Sequence, residues 1–452
     1  MSEKTSNGFS TKLGFVLATA GSAVGLGNLW RFPYLAAKYG GGIFLLIYLL
    51  IAVSFGFCLM VTELAIGRKT GLSAFGAYKK LNKKYAWIGV LTSIVPFIIT
   101  PYYSVIGGWI CKYAAAFVMG EMGATTSDTY FTEFISNPVA PIGFFIFFML
   151  CASLVILFGV DKGIEKASKI MMPLLVILTL IICIFTLTRD GAMEGVIYYL
   201  KPDFSKLSIK TVLAAMGQLF YSMSLAMGIL ITYGSYNSKD SSIVSSTHQV
   251  EVFDAGIAFL AGLMIIPSVF VFSGGDAAAL GKGPSLMFIT LPKVFNDMTG
   301  GAIIGILFFV MVFFAALTSA ISLMEACASI LADWLHTSRK TNTIIMTVFC
   351  IVVGSIVSLG FGPLDFITIM GLGLLDFFDF VSNSVIMPIV ALSTCIFVGY
   401  IIKPQAIIDE VEINGPFKEK KFYTIMIKYI APIMIIGILL FSVMEVMGII
   451  TV

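Results

Sequence analysis

Along this chain polar residues interrupt apolar ones at intervals far longer than the short periods of a water-soluble strand or helix. Eleven long apolar runs emerge, at about 13–35, 42–66, 86–118, 141–160, 168–188, 210–236, 251–273, 301–332, 342–361, 373–402 and 423–450. A helix needs about 20 mostly apolar residues to cross the hydrocarbon core of a bilayer. The pattern therefore predicts an all-α integral membrane protein with eleven transmembrane helices, numbered here as segments 1 to 11. Residues 1–12 are polar, and the first run is too long for a signal-peptide core and lacks a small-residue cleavage pattern, so it is expected to remain as segment 1. No soluble linker divides the chain; the longest polar interruptions are 119–139, 189–209 and 403–422. The stretch 276–300 is apolar at helix-like spacing but too broken to span. It is expected to form an external helical cap, with a lid role and a packing role equally compatible with its spacing.

Composition supports the same solvent. Apolar residues make up 58% and charged residues 12%, with a mean hydropathy of +0.99, far from the balance of a globular soluble chain. The net charge of +3 comes from scattered residues with no basic stripe, which argues against a nucleic-acid partner. With only His248 and His336, and seven cysteines lying in apolar stretches without C-x-x-C spacing, a zinc centre is not expected. Eighteen Lys and Arg fall in one alternating set of loops, including Arg68, Lys69, Lys79, Lys80, Lys83 and Lys84, against nine in the other set. That bias predicts a cytoplasmic N-terminus, and eleven spans then place the C-terminus outside.

Hydrocarbon penalises unsatisfied backbone, so glycines and polar side chains at mid-span need a reason. Segment 1 carries Gly21-Ser22-Ala23-Val24-Gly25-Leu26-Gly27-Asn28, followed by Trp30-Arg31-Phe32-Pro33. Each glycine weakens a helix by roughly 1 kcal/mol relative to Ala, and the run predicts an unwound point. Segment 6 has a weak centre of its own at 221–228, Tyr-Ser-Met-Ser-Leu-Ala-Met-Gly, preceded by Gly217-Gln218. Small residues in one helix read equally as close packing. Interrupted helices five segments apart point instead to an inverted-repeat transporter with its site at mid-membrane.

Ionisable residues at membrane depth are costly and mark functional sites by default. They are Glu63, Asp254, Glu325, Asp376 and Asp379, with Arg31 as the nearest cation beside the break in segment 1. The alternative for each is a buried structural pair or a carboxylate that caps free backbone N–H groups. Segment 8 adds Thr318-Ser319 in an apolar setting. Hydroxyls together with carbonyls freed by an unwound helix form a neutral oxygen cage, which suits a monovalent hard cation such as sodium better than a divalent one.

Gly21 to Pro33, Glu63 with Gly67-Arg68, Tyr102-Tyr103, Gln218 to Tyr236, Thr318-Ser319 and Asp376 to Phe380 closely resemble the neurotransmitter:sodium symporters, in their bacterial amino-acid branch. The resemblance covers essentially the whole chain in order. It implies a 5+5 inverted repeat of residues 13–190 and 210–402, with segments 1 and 6 unwound at mid-membrane, the cap 276–300 and a further segment 11 at 423–450. It implies two sodium sites. The first would comprise Ala23, Asn28, Ser222 and Asp254; the second Gly21, Val24, Ala315, Thr318 and Ser319. A central amino-acid substrate would present its carboxylate to the backbone N–H groups of Leu26 and Gly27 and to the Tyr103 hydroxyl. Its ammonium would face carbonyls of Ala23, Tyr221 and Ser224. Ser222 stands beside this group, and the side chain would lie among Ile99, Tyr103, Tyr221, Ser224, Met227, Ser319 and Leu323. The resemblance further implies an external gate of Arg31, Asp379, Tyr103 and Tyr221, with Glu63 holding the unwound backbone of segment 6.

Three departures qualify the resemblance. Tyr221 stands where the external gate is usually Phe. Asp254 stands where many members have Asn, with Ala258 one turn on, so a fixed carboxylate is expected to replace chloride. The family's inner latch joins an N-terminal Arg to the position of Asp333, but here the matching N-terminal residue is Ser6, with Lys4 as an alternative cation. The expected function is sodium-coupled import of a hydrophobic or aromatic amino acid at the plasma membrane, without chemistry on the substrate. The alternative is a membrane sensor of the same fold that binds an amino acid without transporting it. Oligomeric state is not legible.

Overall fold

The computed structural model describes residues 8–273 and 284–446. The described residues are almost wholly helical, with only two isolated β-bridges, Gly41 to Pro202 and Ile369 to Leu372. Among the described residues nine helices are long and apolar enough to cross a membrane, or ten if the bent pair Lys12–Ala23 and Gly27–Lys38, whose axes diverge by 51°, is one span. Segment 6 is likewise two pieces, Ile209–Ser222 and Ile229–Ser235.

Several helix ends differ from the apolar runs. Segment 7 starts at Ile243 rather than 251, which brings His248 into a helix rather than a loop. Its first turns are rich in Ser, Thr, Gln and Glu, so hydropathy could not find them. Segment 8 runs as one helix from Gly301 to Leu335. It packs along Ala86–Val118, which absorbs Pro96 and Pro101 without ending. The Thr100 hydroxyl donates back to the carbonyl of Pro96 one turn earlier, at 2.5 Å.

Burial sorts the helices into an inner and an outer set. The apolar windows of segments 2, 3, 7 and 8 are 61–72% buried, whereas those of segments 4, 5, 9 and 11 are 33–44% buried and turn Leu154, Ile184, Val352 and Ile433 outward. With no hydrophobic drive between helices in lipid, the inner set must be held by packing and polar contacts. The cap expected at 276–300 is described from residue 284 on; residues 276–283 lie outside the described residues. Its described part folds as Leu286–Thr290 and Leu291–Asp297. Phe288 is fully buried, stacks on Phe131 at 5.0 Å and meets Trp30 and Trp109 edge-on. This part of the cap is a packed roof over the break in segment 1.

Candidate functional site

The two breaks face each other. The first half of segment 1 ends at Ala23, and Val24 is extended, so the carbonyls that would bond onward are freed. In segment 6 the chain turns through Met223–Gly228 with left-handed backbone at Ser224, Ala226 and Gly228. The side chains that lock these turns come from other helices. Glu63, 2% exposed, accepts from the Ala226 N–H at 2.8 Å. Gln218 donates to the Gly27 carbonyl at 2.8 Å. Ser224 hydroxyl donates to the Ser22 carbonyl at 3.0 Å, which ties one break to the other.

Between them lies a cavity of about 30 Å³, lined by Ser22, Ala23, Gly25, Leu26, Gly27, Ile99, Tyr103, Tyr221, Ser224, Met227, Ile229, Ser319 and Leu323. Among the described residues the buried Tyr103 hydroxyl has no hydrogen-bond partner. A Cβ at Gly25 would stand 2.6 Å from Ser319 Oγ and 3.1 Å from the Tyr103 hydroxyl, so glycine keeps that space open. Every residue that the resemblance assigned to the substrate lines this cavity except Ser222. Its hydroxyl lies instead 2.9 Å from that of Tyr48 and 3.4 Å from Asp254 Oδ2.

Two clusters of oxygen flank the cavity. In one, Asp254, 1% exposed, receives Asn28 Nδ2 at 2.7 Å on Oδ1 and the Tyr48 hydroxyl at 2.9 Å on Oδ2. In the other, Ser319 Oγ lies 3.3 Å, 3.2 Å and 3.4 Å from the carbonyl oxygens of Gly21, Ser22 and Val24. Thr318 Oγ1 is 3.1 Å from the Ala315 carbonyl. One cluster carries a carboxylate and the other is neutral, and both offer the hard oxygen donors that sodium prefers.

The model of the Sodium:neurotransmitter symporter family matches residues 6–142 and 139–450. The chain belongs to this family. It is 35% identical to the sodium-dependent transporter YhdH of Bacillus subtilis over 447 residues, 97% of this chain and 98% of that one. It is also 35% identical to the sodium-dependent transporter MJ1319 of Methanocaldococcus jannaschii over 87% of this chain and 81% of that protein. The creatine transporter of Torpedo marmorata is 27% identical over 83% of this chain and 68% of its own length. Among solved structures, MhsT in complex with L-phenylalanine superposes with a TM-score of 0.87 at 36% identity, covering 96% of this chain and 99% of MhsT. The chain is thus a sodium-dependent transporter of the membrane.

Elsewhere in this symporter the structure gives the other charged residues their partners. Arg31 and Asp379 form no ion pair: Arg31 lies over the Tyr221 ring at 5.2 Å, while Asp379 Oδ1 accepts from Tyr102 at 3.1 Å and from Asn383 at 2.5 Å. Tyr102 and Asn383 both occupy Oδ1 of that carboxylate, and the aromatic face attracts the guanidinium. Asp333 is engaged by the N–H and hydroxyl of Ser73 at 2.7 and 2.5 Å; the N-terminal candidates Ser6 and Lys4 lie outside the described residues. Glu325, fully buried, pairs with Arg339 and accepts from the Tyr236 hydroxyl at 2.6 Å, which makes it a structural pair. Arg68 pairs with Glu410 at 2.8 Å, both buried, and pins the 403–422 loop. Sequence reasoning missed Tyr48, whose only signal was one hydroxyl in the aliphatic run 43–51, and missed Glu410 because no local pattern names a partner 342 residues away.

Proposed function

We propose that this symporter imports an amino acid with a hydrophobic or aromatic side chain by alternating access, with two sodium ions and without chloride, across the plasma membrane. The observation that carries the reading is the unpartnered Tyr103 hydroxyl, buried in the cavity where both broken helices end. A buried donor without a partner costs free energy, and a substrate carboxylate would supply the acceptor, held also by the backbone N–H groups of Leu26 and Gly27 at a helix start. Ile99, Met227, Ile229 and Leu323 supply an apolar wall for the side chain. MhsT, solved with L-phenylalanine, supports an aromatic substrate. A cavity of this volume is far too small for an amino acid, so substrate enters only when a wall moves, and Tyr221 beneath Arg31 is that external wall.

One sodium would sit with Ala23, Asn28, Ser222, Asp254 and the substrate carboxylate, the other with Gly21, Val24, Ala315, Thr318 and Ser319. Asp254 supplies the fixed negative charge that makes an external anion unnecessary. The orientation is the one expected from the loops, with residues 1–12 cytoplasmic, repeats 13–190 and 210–402, and segment 11 at 423–450. The test is uptake of labelled L-phenylalanine into proteoliposomes, with a thermal-shift screen of the twenty amino acids in sodium and in potassium. Uptake in potassium equal to that in sodium would overturn sodium coupling, and collapse when gluconate replaces chloride would overturn chloride independence. Binding without counterflow would make the protein a sensor.

A further inference from the structure

The start of segment 1 is held by a residue that no latch in the resemblance provides. Glu165 is 1% exposed. Its Oε2 accepts from the Ser10 N–H at 2.7 Å. Its Oε1 accepts from the Ser10 hydroxyl at 2.8 Å, the Thr11 hydroxyl at 2.7 Å and Lys169 Nζ at 2.6 Å. The same Thr11 side chain accepts from the Gly14 N–H at 3.0 Å, so it caps the Lys12–Ala23 helix while bound to Glu165. Gly14 faces the Glu165 carboxyl so closely that a Cβ there would overlap it. Phe9 seals the corner, edge-on to Phe15 and Tyr233 at 5.5 Å and near Tyr236, with its N–H 3.4 Å from the Tyr236 carbonyl.

The helix so clasped is 12 residues long, about 18 Å at 1.5 Å per residue. Its far end carries Gly21 and Val24, whose carbonyls face Ser319. It is a short rod fastened at both ends, to Glu165 at one and to the oxygen cage at the other. Among the described residues Asp333 makes its hydrogen bonds elsewhere: its Oδ2 accepts from Ser73, where the Ala74–Leu81 helix starts.

We propose that the inner closure of this symporter is the Glu165 clasp on Ser10 and Thr11, and that Glu165 is a positioning residue coupling closure of segment 1 to sodium in the Gly21–Val24–Ser319 cage. This rests on the transport reading above. Sodium at the cage steadies the rod and keeps the clasp shut; loss of sodium frees one end, and the clasp then holds the other alone.

The test is hydrogen–deuterium exchange of the full chain in nanodiscs, in NaCl and in KCl, with sodium-dependent substrate binding measured in parallel. In the wild type, residues 9–16 exchange more slowly in NaCl than in KCl. In Glu165→Ala they exchange at least about tenfold faster than wild type in NaCl and lose the sodium response, as expected when charge-assisted bonds are removed. The sodium concentration for half-maximal binding rises about tenfold by the same measure, while substrate affinity at saturating sodium is unchanged. A merely structural anchor would not produce that split. The pair Ser10→Ala with Thr11→Val, which leaves the carboxylate in place, behaves alike, and Glu165→Gln is intermediate; these carry the comparison if Glu165→Ala does not fold. Asp333→Asn loosens 73–81 and leaves 9–16 protected. Unchanged exchange in Glu165→Ala, opening of 9–16 in Asp333→Asn, or a wild type indifferent to sodium overturns the proposal. Exchange reads the clasp without turnover, so absent uptake with an intact clasp response strikes the transport reading instead.

Discussion

Among the described residues the buried Tyr103 hydroxyl has no partner within hydrogen-bond geometry, with Ser319 and the Leu26 N–H as its polar neighbours, so the fold gains little from it. Tyr103→Phe is therefore expected to unfold within about 0.5 kcal/mol of wild type and to bind substrate about tenfold more weakly, the ~1.4 kcal/mol of one hydrogen bond. Calorimetric binding alongside thermal unfolding checks both halves. Asp254 makes the opposite case. Its three donors, Asn28, Tyr48 and Ser222, all lie buried around it. Asp254→Ala leaves one hydroxyl of the Tyr48–Ser222 pair without an acceptor, at about 1–3 kcal/mol, while Asn28 keeps the backbone carbonyl of residue 254. Asp254→Asn keeps the shape and removes the charge, and is expected to raise the sodium requirement of uptake at least about tenfold. Asp254 was legible in the sequence because a charge in hydrocarbon needs a reason, and Tyr103 through the family resemblance. Tyr48 was not, since a tyrosine in an aliphatic run looks like packing until its hydroxyl is seen to reach Asp254.

At the scale of the element, the two interruptions were legible from glycine and serine content, yet what holds them was not. Ser224 and Ala226 take left-handed backbone at φ 54° and 59° without being glycine, and such conformations persist only where surroundings impose them. Glu63 is one such restraint, through Ala226. Its second oxygen has no partner among the described residues. Glu63→Gln, which retains the carbonyl acceptor, is expected to stay within about 1 kcal/mol of wild type, while Glu63→Ala loses about 1–3 kcal/mol by stranding the Ala226 N–H. Thermal unfolding of the two variants in one detergent separates them. The early start of segment 7 at Ile243 was illegible for a different reason: hydropathy marks where a helix meets lipid, and those turns face neither lipid nor an apolar core alone.

For the whole molecule, ion stoichiometry sets the reach of transport. One charge moved through 100 mV is worth about 2.3 kcal/mol, so two sodium ions with a neutral zwitterion gain about 4.6 kcal/mol. At about 1.4 kcal/mol per tenfold ratio, tight coupling sustains roughly a thousandfold accumulation from potential alone, against about fortyfold for one ion. Accumulation in proteoliposomes clamped at −100 mV with equal sodium on both sides is expected near the higher figure. Binding of each ion to the folded state alone also stabilises it, by about 2.7 kcal/mol at 100 times its dissociation constant, so the melting temperature is expected to climb with sodium and not with potassium.

The sequence by itself determined the solvent, the helical class and the two broken helices, because a bilayer makes every glycine run and every buried charge conspicuous, and the family resemblance carried by those residues supplied most of the cavity lining. The tertiary structure alone decided the partners. That Arg31 lies on Tyr221 while Tyr102 and Asn383 take Asp379, that Arg68 finds Glu410, and that Glu165 holds Ser10 and Thr11 depend on distances between helices remote in sequence. Hydrophobic periodicity says which face of a helix turns inward but not which of several buried polar groups will meet there, and packing settles that choice.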